Sequence, residues 1–132
     1  MSKINLITAP DILYNKSKSI LLIHPNDKIK SDLQNIIAES KESFNIYIHE
    51  HDKNKVLDHD WLFKIHRLSD ICIANLDDFD TDTRTIMSYL ISYDNTYWLT
   101  KGDNLLYNKI SLNRIFELDQ IKDKLLGGKF EI

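Results

Sequence analysis

The sequence predicts an α/β protein: one three-layer, doubly wound domain on about five mostly parallel strands. Three observations lead there. Short continuous apolar runs, SILLIH and ICIA, read as strands covered on both faces. Between such runs lie stretches whose apolar residues recur at helical spacing. Strand-like and helix-like segments alternate singly, which implies right-handed crossovers and a parallel sheet. The 132 residues suffice for one domain, residues 1–132, and are too few for a closed α/β barrel.

Residues 19–24, SILLIH, are the first strand of this reading. Pro25, Asn26 and Asp27 follow. Asn26 suits a helix N-cap, and Asp27 in the first turn suits the helix dipole. Ile29, Leu33, Ile36 and Ile37 then mark the buried stripe of a helix. Residues 44–49, FNIYIH, are a second strand, and a polar loop over 50–55 leads to a helix carrying Trp61, Leu62, Ile65 and Leu68. Residues 70–76 form the third strand. A helix over 83–93 turns Ile86, Met87, Leu90 and Ile91 inward. Residues 96–100, TYWLT, are the fourth strand, and 101–109 form a loop with Gly102. Residues 114–118 read as a fifth strand. Asp119 caps a last helix through Ile121, Leu125 and Leu126, which Gly127 ends. Residues 4–8 fit a short extra strand at the N-terminus. The natural strand order for the five main strands is the flavodoxin-like 2-1-3-4-5. Trp61, Tyr97 and Trp98 fall on these elements as core residues, whereas Tyr89, Tyr93 and Tyr107 are less periodic and suit an interface.

In such a sheet a ligand binds beyond the carboxyl ends of the strands, where the order reverses. That rim gathers His24, Asn26, Asp27, Asn75, Asp77, Asp78, Asp80, Asp82, Thr100 and Lys101 as ligand-binding candidates. A loop that cradles phosphate usually needs glycine, and the only glycines are Gly102, Gly127 and Gly128. The acidic loop 77–82 also opposes phosphate. A hard cation such as Mg²⁺ suits these aspartates, but so does the start of a helix. His49, Glu50, His51 and Asp52 lie together, with Asp58, His59, Asp60 and His66 beyond them. Neither histidine spacing matches a zinc signature, and the plainer reading is a polar loop and helix start with exposed histidines. No metal and no cofactor is expected. Cys72, the one cysteine, sits inside an apolar run and reads as a small buried hydrophobe. No Gly-x-Ser-x-Gly elbow is present, so catalytic residues are not assigned.

The net charge of −3, without a basic run, argues against nucleic acid and anionic membranes. No stretch is long enough to span a bilayer, and no signal-peptide core opens the chain. A reducing compartment is therefore expected: the cytoplasm, or a virion assembled there. Edge strands of an open sheet need cover, so a protein partner or a homodimer is expected. A small-molecule ligand stays open.

Residues 20–101 resemble a response-regulator receiver domain. ILLIHPN stands where that family has a strand ending in paired acids, DICIANLDDFD where it has the phospho-accepting Asp, and TYWLTK where it has a strand ending in Thr or Ser. Carried over, the acid pair falls on His24 and Pro25 and the phospho-acceptor on Asn75, while Thr100 keeps the family residue. The family Lys after the fifth strand has no match near Leu118 and Asp119. The same segment is similar to the nucleoside 2-deoxyribosyltransferases. There Asp82 and Thr83 stand for a Gly-Thr pair, Ile86 for the Glu nucleophile and Ser88 for a Gly, leaving Asp77, Asp78 and Asp80 to contact a ribose. The full pattern, with the ending SLNRIFELD, also resembles short uncharacterised proteins of large contractile-tailed phages, a group with no activity to carry over. Both enzyme-like resemblances thus imply a fold whose reactive positions are replaced. They leave three functional readings: a non-catalytic interaction module, a nucleoside- or nucleotide-processing enzyme using loop 77–82, and a structural component of a virion.

Overall fold

A strand that is apolar at every position needs cover on both faces, and the fold supplies it. The computed structural model of the protein describes residues 3–8, 11–49, 59–75, 95–100 and 114–126. In chain order these form β1 (Lys3–Thr8), β2 (Lys18–Ile23), α1 (Asp27–Ile37), β3 (Ser43–His49), α2 (His59–Leu68), β4 (Ile71–Asn75), β5 (Thr96–Leu99) and β6 (Arg114–Ile115). A 3₁₀ turn (Leu118–Ile121) and a short helix, α3 (Lys122–Leu126), follow.

The strands make one sheet in the order β1-β3-β2-β4-β5-β6, and every neighbouring pair is parallel. Strands β2 to β6 stand in the order 2-1-3-4-5 when counted from β2, so the flavodoxin-like order holds. The extra N-terminal strand joins as an edge beyond β3, with Ile4 beside Phe44 and Thr8 beside Ile48. The two central strands pair from Ile20 and Ile71 to Ile23 and Ala74.

Side chains alternate across the sheet and build two cores. Ile20, Leu22, Phe44, Ile46, Ile71 and Ile73 face α1, the 3₁₀ turn and α3. Leu21, Ile23, Tyr47, Cys72, Ala74 and Trp98 face α2. The small Cys72 and Ala74 leave room for the bulky Trp61 and Trp98. Each fully buried aliphatic side chain is worth about 1.5–3 kcal/mol. In α1, Leu33 and Ile37 are fully buried, and Ile29 and Ile36 nearly so. Asn26 caps this helix: its Oδ1 accepts the Ile29 N–H at 2.8 Å.

The chain must pass from β1 to β2 over the intervening β3. Segment 11–17 does so on the α2 face, and side chains satisfy its polar groups. Tyr47 Oη accepts the Leu13 N–H at 3.1 Å and donates to the Leu13 carbonyl at 3.0 Å. Trp61 Nε1 donates to the Asp11 carbonyl at 2.8 Å. Buried Asn45 donates to Asn15 Oδ1 at 2.8 Å, and its own Oδ1 accepts from Asn5 at 3.1 Å. This strap has no periodic pattern in the sequence.

Four expectations need correction. The last strand covers only Arg114–Ile115, not 114–118, because the chain turns into the 3₁₀ segment at Leu118. Glu117, not Asp119, is the N-cap there, forming a reciprocal capping box with Gln120, while Asp119 sits in the first turn. Leu68 does not face the core. It ends α2 and is 47% exposed. His49 and His66 are buried rather than exposed. The expected helix over 83–93, the loop over 101–109 and Gly127 lie outside the described residues. No described helix is long and apolar enough to cross a membrane.

Candidate functional site

The strand order reverses between β2 and β4, and their carboxyl ends therefore define the place to look. β2 ends at Ile23, and His24 turns out of the strand with a positive φ of 54°. A non-glycine residue rarely adopts that left-handed backbone, although His does so more often than most. The turn redirects the chain through Pro25 to the cap at Asn26, and α1 starts at Asp27. His24 keeps its place beside β3, its N–H donating to the His49 carbonyl at 2.8 Å.

Asn75 ends β4 and is buried. Its side-chain Nδ2 donates to the His24 carbonyl at 2.9 Å. The amide thus extends the β2–β4 pairing one step beyond Ile23 and Ala74. A carboxylate at this position has no proton to donate and would face the carbonyl oxygen.

The two faces of the rim differ. On the α1 face a cavity of about 120 Å³ opens beside Asn75. Ile29, Leu99 and Leu118 give it an apolar wall, Asn26 and Asn75 bring amides, and Phe116 is half-exposed at its edge. Lys28 and Asp32 also line it, as an exposed ion pair at 2.7 Å on successive turns of α1. The Asp32 carboxylate raises the Lys28 pKa through that hydrogen bond.

On the α2 face aromatic rings form a column. The His24 and His49 rings are 5.6 Å apart and tilted. His49 stacks on Trp61 at 6.4 Å, and Tyr47 meets the other part of this cluster edge-on at 6.2 Å from Trp61. Burial is nearly complete for His49 and Trp61. Deeper on the same face, His66 is 2% exposed and its Nε2 is hydrogen-bonded to Thr96 Oγ1 at 3.0 Å. Burial lowers the His66 pKa.

Of the residues singled out from the sequence, His24, Asn26, Asn75 and Thr100 are brought to the carboxyl edge. Thr100 is fully buried, and its N–H donates to the Ile115 carbonyl at 3.1 Å. Asp27 is exposed in the first turn of α1. Asp77, Asp78, Asp80, Asp82 and Lys101 lie outside the described residues, as do Glu50, His51, Asp52 and Asp58. Among the described residues no group of three His, Cys, Asp or Glu side chains is placed to hold a metal ion. Cys72 is completely buried, and that burial pushes its thiol pKa up, which suppresses the thiolate.

Sequence reasoning missed His66 as a core residue, yet a signal was present. Leu62, Ile65, His66 and Ser69 stand at i, i+3, i+4 and i+7, and all four are buried. The ring of His66 simply occupies an apolar stripe and meets a strand hydroxyl there. His49 likewise continues the inward alternation of Asn45 and Tyr47 along β3.

A scan against protein-family models found no match, and a search of curated proteins found no relative.

Proposed function

We propose that this protein is a non-catalytic interaction module on a flavodoxin-like scaffold, of phage origin, working in the host cytoplasm or in the virion. The observation that supports it is the hydrogen bond from Asn75 Nδ2 to the His24 carbonyl. In a receiver domain that strand end offers a carboxylate for phosphorylation. Here the side chain is an amide whose N–H₂ group holds two strand ends together. His24 and Pro25 stand where the paired acids would bind Mg²⁺, and neither is a carboxylate. In the deoxyribosyltransferase comparison Ile86 stands for the nucleophile, and an aliphatic side chain cannot attack an anomeric carbon. What the rim offers instead is a small recess of mixed lining, with Ile29, Leu99 and Leu118 beside the amides of Asn26 and Asn75 and the half-exposed Phe116. Such a mixed surface suits contact with another protein better than turnover.

The test has two arms on the full chain. Incubation with acetyl phosphate and Mg²⁺, followed by intact-mass measurement, is expected to show no added phosphoryl group. Incubation with common nucleosides at high protein concentration is expected to release no free base. Turnover that survives repurification and disappears in Asp80→Asn or Asp82→Asn would make the protein an enzyme acting through its acidic loop.

A further inference from the structure

We propose that the groove between α1 and the 3₁₀ turn docks an extended, basic segment of a partner protein, with an apolar side chain in the recess beside Asn75 and a lysine or arginine against Glu117 and Asp119. The inference rests on the reading of the carboxyl rim as an interaction surface, and it gives that surface a partner of defined chemistry.

The recess does not stand alone. A second cavity of about 330 Å³ continues from it between α1 and the turn, and the two share Lys28, Asp32, Glu117 and Leu118 as walls. One wall is a stripe of α1, for Lys28, Asp32, Asn35 and Ile36 stand at i, i+4, i+7 and i+8. The other is the 3₁₀ turn, with Glu117 before it and Lys122 after it. Ile36 and Leu118 also line the cavity and are buried, so they form its floor. From Lys28 to Ile36 the helical wall runs about 12 Å, at about 1.5 Å per residue. That is room for about four residues of extended chain at about 3.3 Å each.

Charge selects the occupant. Four carboxylates line the larger cavity, Asp32, Glu39, Glu117 and Asp119, against the two ammonium groups of Lys28 and Lys122. Both ammonium groups are already engaged, Lys28 with Asp32 at 2.7 Å and Lys122 with Glu39 at 3.0 Å. Glu117 and Asp119 are exposed and form no ion pair among the described residues. The pKa of Lys28 is raised first by Asp32 and further by Glu117 and Asp119. That of Lys122 is raised first by Glu39 and further by Asp119 and Asp123. The potential is thus negative even where the cations of the groove sit. An incoming cation is attracted there, and a phosphate or carboxylate is repelled.

The recess supplies the other half of the recognition. Ile29, Leu99 and Leu118 line it, and Phe116 stands half-exposed at its edge. A free polyamine leaves that apolar surface uncovered, whereas an apolar side chain of a peptide removes it from water. In an extended segment residues i and i+2 point to the same face, about 6–7 Å apart. The shared walls set the recess and the carboxylates side by side, so one such pair of side chains reaches both. An apolar-x-basic segment therefore fills both cavities at once.

The experiment follows amide chemical shifts of the isotope-labelled full chain during titration with the end-capped peptides GGLGRGG, GGLGEGG and GGSGRGG, and with spermidine. The first peptide should shift the amides of Ile29, Asp32, Leu118 and Asp119 and saturate. Exchanging its Arg for Glu, or its Leu for Ser, should weaken binding. Glu117→Gln combined with Asp119→Asn should weaken the first peptide about three- to tenfold while circular dichroism stays unchanged. Glu42→Gln, beside Lys18 at the amino end of the sheet, should bind as wild type does. Absence of saturable shifts at the groove would overturn the proposal, as would equal affinity for the Arg and Glu peptides. Shifts as large with spermidine alone would make the groove a polyamine site instead. The same shifts on concentrating the protein without peptide would place a second copy there, and that too would overturn it. None of these outcomes bears on the non-catalytic reading, which stands or falls with phosphoryl transfer and base release.

Discussion

His66 shows how one side chain can set the response of the molecule to acid. It is buried against Thr96, and burial lowers its pKa below the ordinary value of 6.5. In the unfolded chain the ring takes up a proton as the pH falls through about 6.5, while in the folded state it resists protonation. The unfolded state therefore binds more protons in that window. Stability is complete above it and declines as the pH drops from the unfolded value towards the lowered folded one. Comparing urea unfolding of wild type and His66→Gln between about pH 7.5 and 5 should show a steeper decline for wild type. One proton limits the difference in slope to about 1.4 kcal/mol per pH unit. Equal slopes would mean that His66 titrates alike in both states.

At the scale of elements, the strap over 11–17 carries a role that a helix usually fills in this kind of fold. It has no helical hydrogen bonds of its own, so side chains from β3 and α2 complete its backbone. Tyr47 does most, accepting and donating at Leu13. Tyr47→Phe keeps the buried ring and removes both bonds. The expected cost is about 1–2 kcal/mol in urea unfolding, because each intramolecular hydrogen bond nets about 1 kcal/mol. Amide exchange at Leu13 should accelerate along with it. Unchanged exchange would mean that the strap is held by its other contacts to Asn45 and Trp61. The elements differ in how much of them the sequence reveals. α1 was fully legible, since a capping Asn26 precedes a clean stripe of Ile29, Leu33, Ile36 and Ile37. The strap was not, because its bonds go to residues 34 and 50 positions away. The end of β6 was misread for a related reason: Phe116 to Leu118 looks strand-like, but the Glu117 and Gln120 capping pair turns the chain there.

For the whole molecule, continuous apolar runs carried the sheet. Ile20 to Ile23 and Ile71 to Ala74 have no alternation, and in the structure they are the paired central strands with helices on both faces. The place of β1 was not legible, because a six-residue strand says nothing of which neighbour it joins. The candidate site was legible only in part. Topology located the rim, but the use of Asn75 depends on a carbonyl 51 positions earlier in the chain. That bond closes the centre of the sheet, and it bears the claim that position 75 serves structure rather than chemistry. Asn75→Asp tests this claim directly through urea unfolding as a function of pH. At neutral pH the introduced carboxylate would be buried against the His24 carbonyl, and a loss of about 1–3 kcal/mol relative to wild type is predicted. Burial and the facing carbonyl raise the pKa of that carboxyl in the folded state, so the folded variant binds more protons than the unfolded one. The deficit should therefore be largest at neutral pH and shrink as the pH falls towards the ordinary carboxyl range, where a protonated acid can donate to the carbonyl again. A variant as stable as wild type at neutral pH, or more stable, would contradict the account and return the position to chemistry.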